Sequence, residues 1–256
     1  MRRSFMTVIA SLVFLVATTT TATAAHSWNG YHWSRAANPF TVPLGDNLTT
    51  AWDGYLVTAS GDWSQSTVLD TRIQAGSTTG RKCRPSAGTV QVCNAAYGNN
   101  GWLGLAQIWI SSSHITQGAA KVNDTYFALA RYNNINEKLS VMCQEVGHTF
   151  GLGHQDETGI SLNTCMDYYH HTSDADTKST HPNQHDYDQL VTIYTSHFDA
   201  AAAASAGRAG SAVGVRGADD DGTPFGASRA RGNWYVQDLG NGRFLLTHVY
   251  WSPTGH

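Results

Sequence analysis

Glu145, His148 and His154 are the residues whose types and spacing point most clearly to chemistry, in the run Gln144-Glu145-Val146-Gly147-His148-Thr149-Phe150-Gly151-Leu152-Gly153-His154. On a helix, residues three or four apart share a face, so Gln144, Glu145 and His148 are predicted to point into one cleft. Gly151 then lets the chain leave the helix with a positive backbone angle. The turn it permits would return His154 to the same metal ion as His148. Two imidazoles and an adjacent carboxylate suit a metal that activates water, with the carboxylate handling the proton.

The elements that must position these residues are legible in part. Ile135 to Phe150 is the clearest helix, with Leu139, Met142, Cys143 and Val146 as its apolar stripe and Gly151 as its stop. Thr49 to Ser60 reads as a second helix, because Trp52, Tyr55, Leu56 and Ala59 fall on one face. A last helix is predicted from Pro182 to about His197, turning Tyr187, Leu190, Val191 and Tyr194 inward. Val68 to Gln74 and Gly104 to Ile110 read as strands, and the small-residue stretch Ile115 to Val122 as a strand at a sheet edge. Near the C-terminus, Trp234 to Val236 and Arg243 to Val249 flank Asn241-Gly242, a strong hairpin signal because that pair tolerates a tight turn.

The chain has 256 residues, 41% of them hydrophobic, and a formal charge of -3, enough to bury a full core and without a bias toward nucleic acid or acidic membranes. Residues 1–25 read as a secretory signal: Arg2 and Arg3 are followed by the apolar stretch Val8 to Val16 and the small residues Ala22-Thr23-Ala24. No other stretch approaches the roughly 20 apolar residues needed to span a bilayer. The remainder divides into a main domain at 26–199, an alanine- and glycine-rich linker at 200–211 and an extension at 212–256 that is too short for its own core and is expected to dock on the domain. Four cysteines in an exported protein favour disulfides, and Cys83 with Cys93 and Cys143 with Cys165 is the pairing that needs least rearrangement. Four lysines against twelve arginines is a skew associated with high-GC bacterial genomes. Trp28, Trp33, Trp52, Trp63, Trp102 and Trp109 are scattered, as core residues are, and form no aromatic platform.

The stretch from Gln144 to His154, followed by Met166 within Thr164-Cys165-Met166-Asp167-Tyr168, resembles the signature of the metzincin zinc metallopeptidases, H-E-x-x-H-x-x-G-x-x-H with a Met-turn. The resemblance covers the mature chain to about Phe198. It implies an α+β fold: a twisted mixed sheet with a backing helix and an active-site helix, then an irregular lower part ending in a helix. It further implies Zn2+ on His148 and His154, Glu145 as general base, and Met166 as an apolar floor beneath the metal. Tyr168 stands where some members place a tyrosine that binds zinc or steadies the oxyanion, a role set against that of a buried structural tyrosine. The activity implied is that of a secreted, monomeric endopeptidase, its peptide or protein substrate added as a strand along Ile115 to Val122.

This chain departs from the signature at its first position, where Gln144 replaces a histidine. Zinc prefers imidazole, thiolate or carboxylate to a neutral amide oxygen, so Gln144 is a weak or vestigial ligand position. Three readings stay open: a weakly held zinc with residual peptidase activity, a catalytically inactive relative kept as an extracellular protein-binding module, or a single change in an otherwise active family. Asp156, His170, His171, His181 and His185 carry ligand chemistry, but no spacing ties them to the face of His148. Asp156 reads instead as the brace of the loop after His154, and the histidines as surface or hydrogen-bonded groups. No acidic loop has calcium-binding spacing, and Asp219-Asp220-Asp221 reads as a solvated turn.

Overall fold

A computed structural model describes residues 26–195, 197–199 and 233–253. The signal, linker and Asp219-Asp220-Asp221 readings lie outside these. The described residues form a mixed sheet of eight strands with four helices, the α+β class expected. The elements run β1 (His32–Trp33), β2 (Phe40–Asn47), α1 (Asp53–Trp63), β3 (Leu69–Ala75), β4 (Val90–Ala95), β5 (Trp102–Ser111), β6 (His114–Asn123), α2 (Asp124–Phe127), α3 (Ile135–His148), α4 (Gln184–Thr195), β7 (Trp234–Gly240) and β8 (Arg243–Trp251).

The spatial order is β3-β2-β4-β6-β5-β8-β7, with the short β1 also paired to β6. β3, β2, β4 and β6 run parallel, while β5, β8 and β7 add on antiparallel. β5 is buried from Trp102 to Ile110 without alternation, as a strand covered on both faces must be. On one face lies α3; on the other, the disulfide Cys83–Cys93 packs with Trp109, Ala119 and Leu245.

Ile115 to Val122 is not an edge. β6 is paired to β5 along one side and to β1 and β4 along the other. Its small residues have a different cause: a Cβ on Gly118 would lie 3.1 Å from Val90 and 3.4 Å from Thr149, so they admit close packing at the sheet centre. Strand addition by a substrate along β6 is therefore unavailable.

Asn134 caps α3 by accepting a hydrogen bond from the Glu137 amide at 2.8 Å, satisfying one of the helix's free N-terminal donors. Val141, Met142 and Val146 are fully buried, each worth roughly 1.5–3 kcal/mol of burial. Gly151 ends the segment at φ +91°, where a Cβ would lie 2.2 Å from the Tyr31 carbonyl. The N-terminal stretch lies against that turn: the Trp28 amide donates to Gly151 O at 2.8 Å and the Gly153 amide to His26 O at 2.6 Å. Cys143 and Cys165 are bonded, tying α3 to the Met166 turn as the near-neighbour pairing predicts.

Glu137, on the first turn of α3, holds the loop that returns from Met166. It accepts from the His170 ring at 2.9 Å and from the His171 amide at 2.7 Å, with the His171 ring at 3.2 Å. Burial alone would raise this carboxyl, but hydrogen bonds from His170 and His171 outweigh it and hold it below its usual range. Burial would likewise lower His171, yet Glu137 and the Lys178 carbonyl raise it. A lowered carboxylate contributes stability above its unfolded pKa and loses it as pH falls through the folded value. A raised imidazole contributes below its unfolded pKa and loses it as pH rises through the folded value. Both are fully present between about pH 4.3 and 6.5. His171→Gln is expected to lower the urea midpoint more at pH 5.5 than at pH 9; an equal loss at both would show that the pair's charge contributes nothing.

Candidate metal centre

α3 presents His148 on its last turn, the Gly151 turn returns His154, and a third imidazole arrives from β8. His248 stands opposite Ala106 of β5, and one ring nitrogen from each of His148, His154 and His248 lies within 4.8 Å of the others. Each ring is anchored through Nδ1: His148 donates to Leu152 O at 2.8 Å, His154 pairs with Glu157 Oε1 at 3.1 Å, and His248 with Glu145 Oε2 at 3.2 Å. The carbonyl on His148 fixes its proton on Nδ1 and leaves a lone pair on Nε2. All three Nε2 atoms are buried without a hydrogen-bond partner among the described residues.

Orphaned buried nitrogens are costly unless something binds them. Burial holds all three imidazoles below the ordinary value, His148 and His248 well below, with neighbouring rings pushing these two the same way. Neutral rings anchored by carboxylate or carbonyl partners are the form in which histidines take up metal. Three imidazoles are also a ligand set that zinc accepts while keeping a fourth position open. The donor set therefore fits zinc.

The other expected site residues fall around this centre. Gln144 donates from its amide nitrogen to the carbonyls of Cys165 and Asp167, at 2.8 and 2.7 Å, and so straps the Met166 turn to the helix. Met166 is fully buried, and a Cβ on Gly147 would lie 2.8 Å from its sulfur. Glu145 is fully buried, which pushes its carboxyl well up. Its Oε1 has no hydrogen-bond partner among the described residues and lies against β5, where a Cβ on Gly104 would lie 2.5 Å from it. The Tyr168 hydroxyl accepts from the Trp251 amide, and its ring packs 5.5 Å from that of His154.

Asp156 braces its loop by accepting from the amides of Thr158 and Ile160. His170 and His171 lie on Glu137, His181 on Asp62, and His185 stacks on His26. None joins the three-imidazole cluster.

Trp28 and Trp234 wall the centre. The Trp28 ring stacks 5.4 Å from His148, and Trp234 lies 4.6 to 5.1 Å from all three imidazoles, its indole donating to Glu157 at 2.8 Å. The Glu157 carboxyl is held at about 2, chiefly by its hydrogen bond with His154 and further by that with Trp234. Local spacing in the sequence does not reveal His248 or Trp234 as part of the centre. The available signal was a histidine within the apolar run Leu245 to Tyr250.

Among solved structures, the chain is similar to high choriolytic enzyme 1, a hatching enzyme zinc-protease from Oryzias latipes (medaka fish). The likeness has 9% identity and a TM-score of 0.36, covering 70% of this chain and 99% of that one. No family model matches this chain, and no curated protein does.

His248→Ala is expected to weaken zinc binding by about 100-fold or more, beyond the loss typical of a disturbed orienting partner, as read by competition with a chromophoric chelator. Gln144→Ala should weaken it far less. The reverse ranking would return the third ligand position to residue 144.

Proposed function

We propose that the chain is a secreted zinc-dependent endopeptidase whose metal is held by His148, His154 and His248. The observation that carries this reading is the convergence of three imidazoles, His148 and His154 of the Glu145-x-x-His148-x-x-Gly151-x-x-His154 signature and His248 of β8, each with a buried Nε2 that has no hydrogen-bond partner among the described residues. Zinc bound there supplies Lewis acidity and a bound water of lowered pKa. The two disulfides suit an oxidising compartment, and no helix among the described residues is long and apolar enough to cross a membrane.

In this reading the third ligand is not the residue at 144. His248 takes its place, and Gln144 holds the Met166 turn. Glu145 does two things. Its Oε2 keeps the Nδ1 proton of His248 in place, so that Nε2 faces the metal. Its Oε1, raised in basicity by burial, is the free carboxylate oxygen on which a proton can be held and passed on. Trp28 and Trp234 exclude bulk water from the imidazoles, strengthening every electrostatic interaction among them.

One observation favours a second reading, the non-catalytic protein-binding module. The His148 and His248 side chains are fully buried and that of His154 is 1% exposed, with Trp234 of the chain's own hairpin against them. On that reading the centre is a metal-stabilised core and carries no turnover.

Casein or a quenched peptide library separates the two. The zinc-loaded protein is expected to cleave in a chelator-sensitive way. Glu145→Gln should keep its zinc and lose activity by about 10²- to 10⁴-fold. Full zinc occupancy with no cleavage of any peptide by the wild-type protein would favour the binding module.

A further inference from the structure

A second group of ligating side chains converges where β1, the start of β6 and the segment after α4 meet. His32 on β1 and His114 at the start of β6 are register partners, and His197 and Asp199 follow the end of α4. One donor atom from each of the four lies within 4.8 Å of the rest. His32 is 8% exposed; its ring Nδ1 donates to Gly30 O at 2.8 Å, and its Nε2 is buried with no partner among the described residues. His114 Nε2 and His197 Nε2 both approach the same oxygen, Asp199 Oδ1, at 3.0 and 2.7 Å.

Asp199 is itself fixed: its amide donates to Arg35 O at 2.8 Å and its Oδ2 accepts from the Arg35 amide at 3.2 Å. The nearby cation, the Arg35 guanidinium, is turned to the Tyr194 carbonyl and lies over aromatic rings. Without an ion, two N–H groups crowd one carboxylate oxygen while a third imidazole nitrogen goes unsatisfied. A divalent transition ion would give all four atoms a partner.

We infer that His32, His114, His197 and Asp199 form a second metal site, of structural type and suited to zinc. Three nitrogens and one carboxylate oxygen make a closed four-ligand set, unlike the three-ligand centre formed by His148, His154 and His248. The site would fasten β1, β6 and the exit of α4 together. None of this depends on the reading of the central site.

Zinc titration of the metal-stripped protein, with bound metal counted after gel filtration, tests the inference. His148→Ala/His154→Ala protein removes the central site and should still retain one equivalent. His114→Ala/His197→Ala should lose one equivalent relative to wild type and part of the rise in thermal midpoint that zinc confers. Should the central double variant fail to fold, Asp199→Asn, which keeps the shape of that half-buried side chain, with His197→Ala at an exposed position reads the same loss. Cobalt offers a second readout, a tetrahedral visible spectrum in His148→Ala/His154→Ala that disappears when His114 and His197 are also replaced. The inference is overturned if folded His148→Ala/His154→Ala protein binds no zinc. It is equally overturned if replacing His114 and His197 leaves the wild-type stoichiometry unchanged.

Discussion

Three imidazoles buried side by side can stay neutral and keep their lone pairs only if every ring is held from behind, and the centre of this protein is organised around that requirement. Leu152 O, Glu157 and Glu145 each take one Nδ1. Each anchor comes with its own structural demand. Leu152 O is placed by the left-handed turn at Gly151, Glu157 by the loop that Asp156 braces, and Glu145 by the gap that Gly104 leaves in β5. Loss of an anchor would free a ring to rotate, and the dry pocket would then hold a polar group with nothing to bind.

The sheet explains how a residue so distant in sequence completes the cluster. β5 is paired on one side to β6 and on the other to β8, and the register that sets His248 opposite Ala106 turns its ring toward α3. A slip of one residue would send that ring to the opposite face. The Asn241-Gly242 turn, with both residues at positive φ, fixes the register of β7 against β8 and so brings Trp234 over the same imidazoles. The C-terminal hairpin is thus part of the centre.

Much of this was readable from local pattern. The helix ending at His148, the Gly151 stop, both cysteine pairs and the hairpin turn each follow from residues close together in sequence. His248 was not readable, because its role is created by strand pairing across more than half the chain, and a lone histidine among Leu245, Leu246 and Val249 carries no partner spacing. β2 is hidden in the sequence because Pro43 and Gly45 interrupt its pattern. The proline is tolerated there because pairing to β4 begins only at Leu44. β6 reads as an edge from sequence because its glycine and alanines look weakly strand-forming, when they are what close packing at the sheet centre requires. The second histidine cluster draws on β1, β6 and the segment after α4, again a product of topology and not of spacing.

The claim that everything else depends on is the identity of the third ligand. A crystal structure of the zinc-loaded protein, with anomalous difference density measured on both sides of the zinc edge, addresses it directly. A peak bonded to the Nε2 atoms of His148, His154 and His248, with the Gln144 amide still on the Cys165 and Asp167 carbonyls, is the predicted result. Zinc held by His148, His154 and the Gln144 oxygen, with His248 turned away, would contradict it.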